Sequence, residues 1–172
     1  FRDENYPLAK LREAIIASGA PLRELRAGDR IDGGPGCRIE VLQPPASGVA
    51  GNDNANSLVA VVEVGRRRIL LSGDLEPPGL DELLAREPLD CDVLLVPHHG
   101  SRSSNPPGLA AWCAPEAAVI SGGLTPDPTA TEAAYAAAGA KVFNTARTGA
   151  VRVTVGRPPK RGGVSPLSIS SP

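Results

Sequence analysis

Apolar and polar positions alternate along this chain in blocks that predict helices interleaved with strands. The first helix is predicted over 7–18, where apolar side chains recur at a spacing of three or four residues: Leu8, Leu11, Ile15 and Ile16. A short strand is predicted over 38–42, because the pattern there alternates and stops at Pro44-Pro45. The turn-rich stretch 46–54 that follows is predicted to be a loop.

A β-hairpin is the next predicted unit. The stretches 57–64 and 67–72 are rich in β-branched residues and leucine, and they are separated by Gly65-Arg66 alone. A two-residue connection that contains glycine is typical of a tight hairpin turn. We therefore expect these two strands to pair in an antiparallel manner.

The rest of the pattern alternates helix and strand up to residue 155. The predicted elements are a helix over 79–86, a strand over 92–96, a helix over 107–113, a strand over 117–121, a helix over 130–138, and strands over 141–145 and 149–155. Thr129 and Glu132 stand at the spacing of a capping box for the helix over 130–138. This order predicts a layered α/β domain over 1–155.

The segment 156–172 has little apolar surface, and we expect it to be a disordered tail.

Composition excludes several classes of protein. The chain has 172 residues, 41% of them hydrophobic, with a net charge of −1, which is typical of one globular domain and leaves no general basic surface for nucleic acid. No apolar run is long enough to span a bilayer, and the first residues do not resemble a signal peptide, so we expect the chain by itself to be soluble.

Three cysteines without metal-ligand spacing, Cys37, Cys91 and Cys113, are interpreted as small core residues. The absence of an initial methionine predicts a piece of a longer polypeptide.

Asp74 is the first residue with candidate chemistry. It follows the apolar strand 67–72 directly after Gly73, a position from which a carboxylate can act as a ligand or a base. An ordinary turn aspartate has the same local pattern. Asp74 alone therefore leaves both interpretations open.

His98 and His99 form the second candidate, at the end of the predicted strand 92–96. They are the only two histidines of the chain. Adjacent imidazoles in a loop that follows a core strand are suited to metal ligation or to proton transfer near neutral pH. A single histidine would more often be structural, whereas the pair favours a site.

The loop 52–57 is the third candidate, with the sequence Asn-Asp-Asn-Ala-Asn-Ser. Asparagine and aspartate often hydrogen-bond to their own backbone in turns, so this loop is either structural or lines a site. Asn56 and Ser57 are its site-lining candidates, and Ser101, just after the histidines, is another.

Taken together, these motifs resemble the metallo-β-lactamase-like domain of ComEC-family DNA internalisation and competence proteins. The resemblance covers about 30–155 and is carried by the succession Asn56-Ser57-Leu58-Val59, Leu70-Leu71-Ser72-Gly73-Asp74, Asp92-Val93-Leu94-Leu95-Val96-Pro97-His98-His99-Gly100-Ser101, Pro115 and Val119-Ile120-Ser121. It implies the C-terminal half of a metallo-β-lactamase-like αββα sandwich whose N-terminal half is missing.

The resemblance also implies a function. Domains of that family are thought to act as metal-dependent nucleases that degrade the non-transported DNA strand during natural DNA uptake. They are attached to a membrane channel domain at the extracytoplasmic face of the plasma membrane. By the same resemblance, Asp74 would bridge two divalent metal ions, zinc or manganese, and His98 and His99 would form the last metal-site motif and share the catalytic role. Which histidine coordinates stays open.

Two departures from the family pattern bear on activity. The His-x-His-x-Asp-His loop of the superfamily is not in this chain, so we expect weak or no metal binding by the chain alone. Asp127 stands where family members often have the histidine of Gly-His-Pro, and a carboxylate there cannot be a cationic proton donor. A stand-alone hydrolase of another ester or phosphoester and a metal-free interaction domain are therefore the alternative functions.

The predicted topology has two structural consequences. If strands 67–72 and 92–96 are parallel neighbours joined by the helix over 79–86, Asp74 and the histidine pair lie at the same sheet edge, where open α/β sheets commonly bind ligands. An incomplete sandwich would also leave apolar sheet surface exposed.

Overall fold

The structure is a computed structural model that describes residues 6–123, 128–157 and 163–171, and its central element is a seven-stranded sheet. The strands lie in chain order across this sheet: β1 (Arg30–Asp32), β2 (Cys37–Gln43), β3 (Val59–Val64), β4 (Arg67–Leu71), β5 (Val93–Leu95), β6 (Ala117–Ile120) and β7 (Lys141–Asn144). Strand β1 is an addition to the predicted elements, and the other six lie where the pattern predicts them.

The strands from β1 to β4 form an antiparallel half-sheet. The β3–β4 hairpin is confirmed, with Val64 opposite Arg67 and a two-residue turn between them. Both turn residues have positive φ, +57° at Gly65 and +66° at Arg66, as a type I′ turn requires.

The strands from β4 to β7 form a parallel half-sheet. Three helices connect successive strands: α2 (Gly79–Leu84), α3 (Pro107–Cys113) and α4 (Thr129–Ala137). Parallel neighbours need such crossovers. Because these strands run in the same direction, their carboxyl ends meet at one edge of the sheet. The predicted parallel pairing of β4 with β5 is confirmed.

The main core lies between the sheet and these helices. Its buried members come from alternate strand positions and from the inner helix faces, and the largest include Val59, Leu70, Leu80, Leu83, Leu94, Leu109, Trp112, Ile120 and Tyr135. Cys91 and Cys113 are buried there as expected, whereas Cys37 is only half-buried. The hydrogen bond with the Cys113 thiol, followed by burial, raises the pKa of Cys91, so this thiol stays protonated.

The opposite face of the sheet carries a second, smaller core. A two-stranded hairpin, β8 (Arg152–Val155) and β9 (Leu167–Ser170), packs half-buried apolar side chains against Val93, Val119 and Phe143. The prediction of a disordered tail is therefore wrong for 167–170, and 158–162 and 172 lie outside the described residues. The composition of the tail was misleading because a strand with only two apolar side chains, Leu167 and Ile169, is stable only when it packs against a sheet face.

The β8–β9 hairpin covers part of the sheet face that the sequence analysis expected to be exposed. The hairpin shields the parallel strands, while Leu71 near the carboxyl edge stays 38% exposed. The structure thus has a helical layer, a large sheet and a small sheet. These layers are consistent with the predicted partial αββα sandwich.

The tail is also attached to the far edge of the sheet, opposite the carboxyl ends. Arg67 donates to the carboxylates of Asp92 and Glu116 and to the carbonyl of Ser165. Ser165 in turn donates its backbone N–H to Gly65, at 2.9 Å. This network joins β4, the segments before β5 and β6, and the tail.

The first helix of the chain and helix α4 differ from the prediction in detail. Helix α1 (Tyr6–Ala17) forms where predicted, but its apolar residues Leu11 and Ile16 are 56% and 59% exposed, so they add little to the core. The predicted capping box is wrong, because Pro128 and not Thr129 occupies the N-cap position of α4. Glu132 instead accepts hydrogen bonds from Asn144 and Arg147, beside the short helix α5 (Thr145–Thr148).

Among the described residues, the helices are too short or too polar to cross a membrane.

Replacement of Ile169 tests whether the tail is part of the fold. Ile169→Ala should lower the free energy of unfolding by about 1–2 kcal/mol, because this half-buried side chain loses contact with the second core. The neighbouring Ser168→Ala, an exposed position on the other side of β9, should change it by less than about 0.5 kcal/mol. Urea denaturation followed by circular dichroism measures both, and equal effects would contradict packing of the tail.

Candidate functional site

Asp74 and the histidine pair meet at the carboxyl edge of the parallel half-sheet. Asp74 follows β4 and the histidines follow β5, so parallel pairing brings them together. Asp74 Oδ1 lies 3.6 Å from His99 Nε2, and both side chains are about half exposed, at 48% and 55%. Two atoms that bind one metal at about 2 Å each have such a separation. The predicted convergence is therefore observed.

The loop after β4 directs its carboxylates outward because Leu75 is completely buried. Asp74 and Glu76 flank Leu75, and both reach the histidine side of the loop. Ser72 attaches the start of this loop to β5 by donating its hydroxyl to the carbonyl of Leu95. The loop is thus held by the core on one side and by β5 on the other.

The histidines themselves lie in an unusual backbone turn. His98 (φ +45°, ψ +50°) and His99 (φ +54°, ψ +24°) both adopt the left-handed conformation, and Gly100 follows with φ +83°. Residues other than glycine rarely adopt it, at a cost of about 1–3 kcal/mol each, and such strain clusters at functional sites. This turn presents both imidazoles on the solvent side of the strand end.

Hydrogen bonds to the backbone of the turn hold it in place. The N–H of His98 donates to Gly73 O at 3.0 Å, which joins the two loops of the site directly. The hydroxyl of Thr131 on α4 donates to Gly100 O at 2.7 Å. Both bonds fix the turn at its ends.

Asn105 provides the third support from beneath. Its amide donates to the carbonyls of Pro97 and Ser101 at 3.1 and 2.7 Å, and its own oxygen accepts from the Tyr135 hydroxyl at 2.9 Å. Burial raises the pKa of Tyr135, which keeps the phenol protonated and able to donate. Neither residue belongs to the motifs that predicted the site.

His99 is oriented by a backbone carbonyl. Its Nδ1 lies 2.7 Å from the oxygen of Ser121 at the end of β6, and Gly122 allows the close approach, since a Cβ there would lie 3.2 Å from His99 Cβ. A carbonyl only accepts hydrogen bonds, so Nδ1 carries the proton and Nε2, the atom that faces Asp74, presents a lone pair when the ring is neutral.

Glu76 is a charged site residue that the sequence motifs also missed. Its Oε1 lies 2.7 Å from His98 Nδ1, and its Oε2 accepts from the Asn52 amide at 2.9 Å. The hydrogen bond from Asn52, followed by the proximity of His98, holds the pKa of the Glu76 carboxyl below its usual value. Its position two residues after Asp74, across a buried leucine, is the signal that could have identified it.

The predicted site-lining residues have mixed positions. Asn56 exchanges two hydrogen bonds with Val49 through its amide and therefore has a structural part in the loop. Ser57 lies against Gly73, where an added Cβ would be 3.5 Å from Ser57 Cβ. The Ser101 hydroxyl pairs with Ser103, and it is Ser104 that approaches His98 Nδ1, at 3.4 Å. Asp127 lies outside the described residues.

The donor set fits part of a metal site. Within 6–123, 128–157 and 163–171, no three side chains of histidine, cysteine, aspartate or glutamate cluster as metal ligands would. Asp74 Oδ1 and His99 Nε2 are suitably placed as two donors, whereas His98 Nδ1 is occupied by Glu76. A metal would thus need further ligands beyond this pair.

Two curated relatives share this part of the chain. ComE operon protein 3 of Bacillus subtilis is 34% identical over 115 residues, which cover 66% of this chain and 15% of that protein. Recombination protein 2 of Haemophilus influenzae is 36% identical over 88 residues, which cover 51% of this chain and 11% of that protein. The chain is similar to ComEC-family proteins. It spans 15% or less of the length of these relatives, and no family model matches it.

A solved structure has the same fold. It is assigned as a metal-dependent hydrolase from Parabacteroides distasonis, and it superposes with a TM-score of 0.53 over 77% of this chain and 60% of that chain. At 15% sequence identity, this likeness shows the fold alone. The mixed α/β fold predicted from the sequence is confirmed, and it is consistent with a metallo-β-lactamase-like architecture.

Two substitutions of His99 test the strained turn. His99→Gly should have a free energy of unfolding about 1 kcal/mol higher than that of His99→Ala, because glycine adopts positive φ without steric cost. An exposed position in α4 gives the opposite control, since Ala136→Gly should lower stability by about 1 kcal/mol. Urea denaturation measures all three, and equal stability of the two His99 variants would contradict the left-handed turn.

Proposed function

We propose that this chain is the C-terminal part of a ComEC-like, metallo-β-lactamase-fold domain that degrades the non-transported DNA strand during DNA uptake. The convergence of Asp74 and His99 at the sheet edge carries this proposal, at 3.6 Å between Oδ1 and Nε2. The similarity to ComE operon protein 3 and Recombination protein 2 supports the uptake role. The hydrolase fold supports the chemistry.

Asp74 and His99 would hold a divalent metal such as zinc or manganese. A bound metal of this kind lowers the pKa of a water ligand and stabilises negative charge on a phosphodiester oxygen. The chain's own contribution is orientation: the Ser121 carbonyl keeps the lone pair of His99 Nε2 towards Asp74. His98 is the remaining imidazole, with Nδ1 facing Glu76. When its ring carries both protons, Nε2 can donate a hydrogen bond to a phosphate oxygen.

The proposed partners and location are supported by the similarity to the same relatives. DNA would be the macromolecular substrate, and a membrane channel domain of a longer polypeptide would hold this domain at the extracytoplasmic face of the plasma membrane. With a net charge of −1, the chain contributes only a local DNA contact at the sheet edge and no broad basic surface.

A metal-dependent hydrolase of another ester is the second candidate, favoured by the fold neighbour. The same two donors would serve either reaction, because both develop negative charge on an oxygen in the transition state. The substrate distinguishes the two candidates.

Metal binding by the isolated chain gives the first test. With two donors in place, zinc should not survive dialysis against a mild chelator, whereas about 1 mM Mn²⁺ should broaden the imidazole NMR signals of His99 by paramagnetic relaxation. Asp74→Asn should reduce this broadening strongly, and Asp81→Asn, an exposed carboxylate on α2, should leave it unchanged. Stoichiometric retention of zinc would contradict the two-donor site, and equal broadening in both variants would contradict the role of Asp74.

DNA degradation tests the reaction itself. In a chimera, this chain replaces the aligned region of ComE operon protein 3, so that ligands outside the chain can be supplied. The chimera should degrade labelled DNA in the presence of Mn²⁺, and Asp74→Asn should slow this by at least about a hundredfold, as expected for loss of a metal ligand. Hydrolysis of simple esters without DNA degradation would favour the second candidate. Full activity of Asp74→Asn would contradict both.

A further inference from the structure

The carboxylate of Glu76 lies between two side chains from different loops, His98 and Asn52. One oxygen faces His98 Nδ1 at 2.7 Å, and the other accepts from the Asn52 amide at 2.9 Å. With 21% of its side chain exposed, Glu76 is shielded from most of the solvent that would compete for these bonds. The Asp74 and His99 pair does not account for this arrangement.

We propose that Glu76 is a positioning residue that holds His98 with a proton on Nδ1 and Nε2 towards the sheet edge. Nε2 then accepts a hydrogen bond in the neutral ring, and it donates one to a substrate phosphate when the ring carries both protons. The proposal rests on the proposed function for the identity of that substrate. The orientation of His98 depends only on contacts within this chain, so it can be tested in the absence of metal and DNA.

Hydrogen-bond chemistry selects this tautomer. An ionised carboxylate only accepts hydrogen bonds, so the atom that faces it at 2.7 Å must be a protonated nitrogen. In a neutral imidazole the other nitrogen then has a lone pair and no proton. Ser104 lies further away, at 3.4 Å from the same Nδ1, and its hydroxyl can rotate to either role. Glu76 is therefore the partner that selects the tautomer.

The position of Glu76 is itself fixed from two directions. Leu75 is completely buried beside it, and the N–H of Glu76 donates to Asn54 O at 3.3 Å. Asn52 is held in turn, because its side-chain oxygen accepts from the N–H of Ala55 at 2.9 Å. The loop 52–56 thus supports His98 through Glu76, which gives this loop a part in the site that the sequence pattern left open.

The two histidines consequently have different roles. His99 is oriented by a neutral backbone carbonyl and lies beside Asp74, whereas His98 is oriented by an anionic side chain. A carboxylate partner strengthens the hydrogen-bonding capacity of an imidazole more than a peptide carbonyl does. Glu76 therefore gives His98 an anionic hydrogen-bond partner, in place of the neutral carbonyl that orients His99.

The imidazole tautomers can be measured directly because the chain contains two histidines. Long-range ¹H–¹⁵N correlation spectra of the ¹⁵N-labelled full chain, recorded without metal or DNA at a pH where both rings are neutral, should show the proton on Nδ1 in both. His99→Asn assigns the signals. A His98 ring with its proton on Nε2, or a mixture averaged between both tautomers, would overturn the proposal.

Substitution of Glu76 identifies its cause. Glu76→Ala should shift His98 towards the Nε2–H form and leave His99 unchanged as an internal reference. Glu82→Ala removes an exposed carboxylate on α2 and should leave both rings unchanged. If the dispersion of backbone amide signals shows that Glu76→Ala does not fold, Asn52→Ala is the second variant. It removes a hydrogen bond to Glu76 and should shift the tautomer of His98 towards the Nε2–H form without changing that of His99. An unchanged His98 spectrum in a folded Glu76→Ala or Asn52→Ala chain would contradict positioning by Glu76.

This result is independent of the metal test. If Mn²⁺ fails to broaden His99 while the His98 tautomer still depends on Glu76, the proposed function fails and the positioning role stands. If Mn²⁺ binds as expected and Glu76→Ala leaves His98 unchanged, only the positioning role fails.

Discussion

The parallel pairing of β4 with β5 is the constraint on which the site depends. Its register, Ile69 with Val93 and Leu71 with Leu95, places both strand ends at the same height on one sheet edge. The loops that leave these ends are short, so Asp74 and the histidines have little room to diverge. A shift of one residue would turn the side chains of one strand to the other sheet face and break both cores. The site is thus fixed by the burial of strand residues that take no part in its chemistry.

The histidine turn is costly, and the buried groups around it offset that cost. Two consecutive non-glycine residues in the left-handed region oppose folding by about 1–3 kcal/mol each. Bonds from Thr131 and Asn105 to the carbonyls of the turn, with Asn105 held by Tyr135, each contribute about 0.5–1.5 kcal/mol, because they satisfy groups that water reaches poorly. Helix α4 therefore serves the site even though none of its side chains reaches Asp74 in the described contacts. Rigid support of this kind is what an oriented ligand pair needs.

The two faces of the sheet have separate tasks. The helical face buries the larger core, which defines the crossovers and hence the strand ends. The other face is covered by the β8–β9 hairpin, which returns from the tail and is tied to the far edge through Arg67 and Ser165. The tail thus stabilises the parallel half-sheet from behind, away from the candidate site.

The sequence by itself determined the order of elements, the tight β3–β4 turn and the residues at the two strand ends, because these depend on local periodicity and on neighbours in the chain. Asp74, His98 and His99 could be predicted for that reason, as they follow directly after apolar strands. Only the tertiary structure decided that Glu76 and Asn52 orient His98, that a backbone carbonyl orients His99, and that the polar tail forms strands. Each of these depends on groups 22 or more residues apart in the chain, or on a sheet face that the tail alone cannot supply. Local pattern carries no record of such contacts, since the free energy that forms them comes from burial in the completed fold.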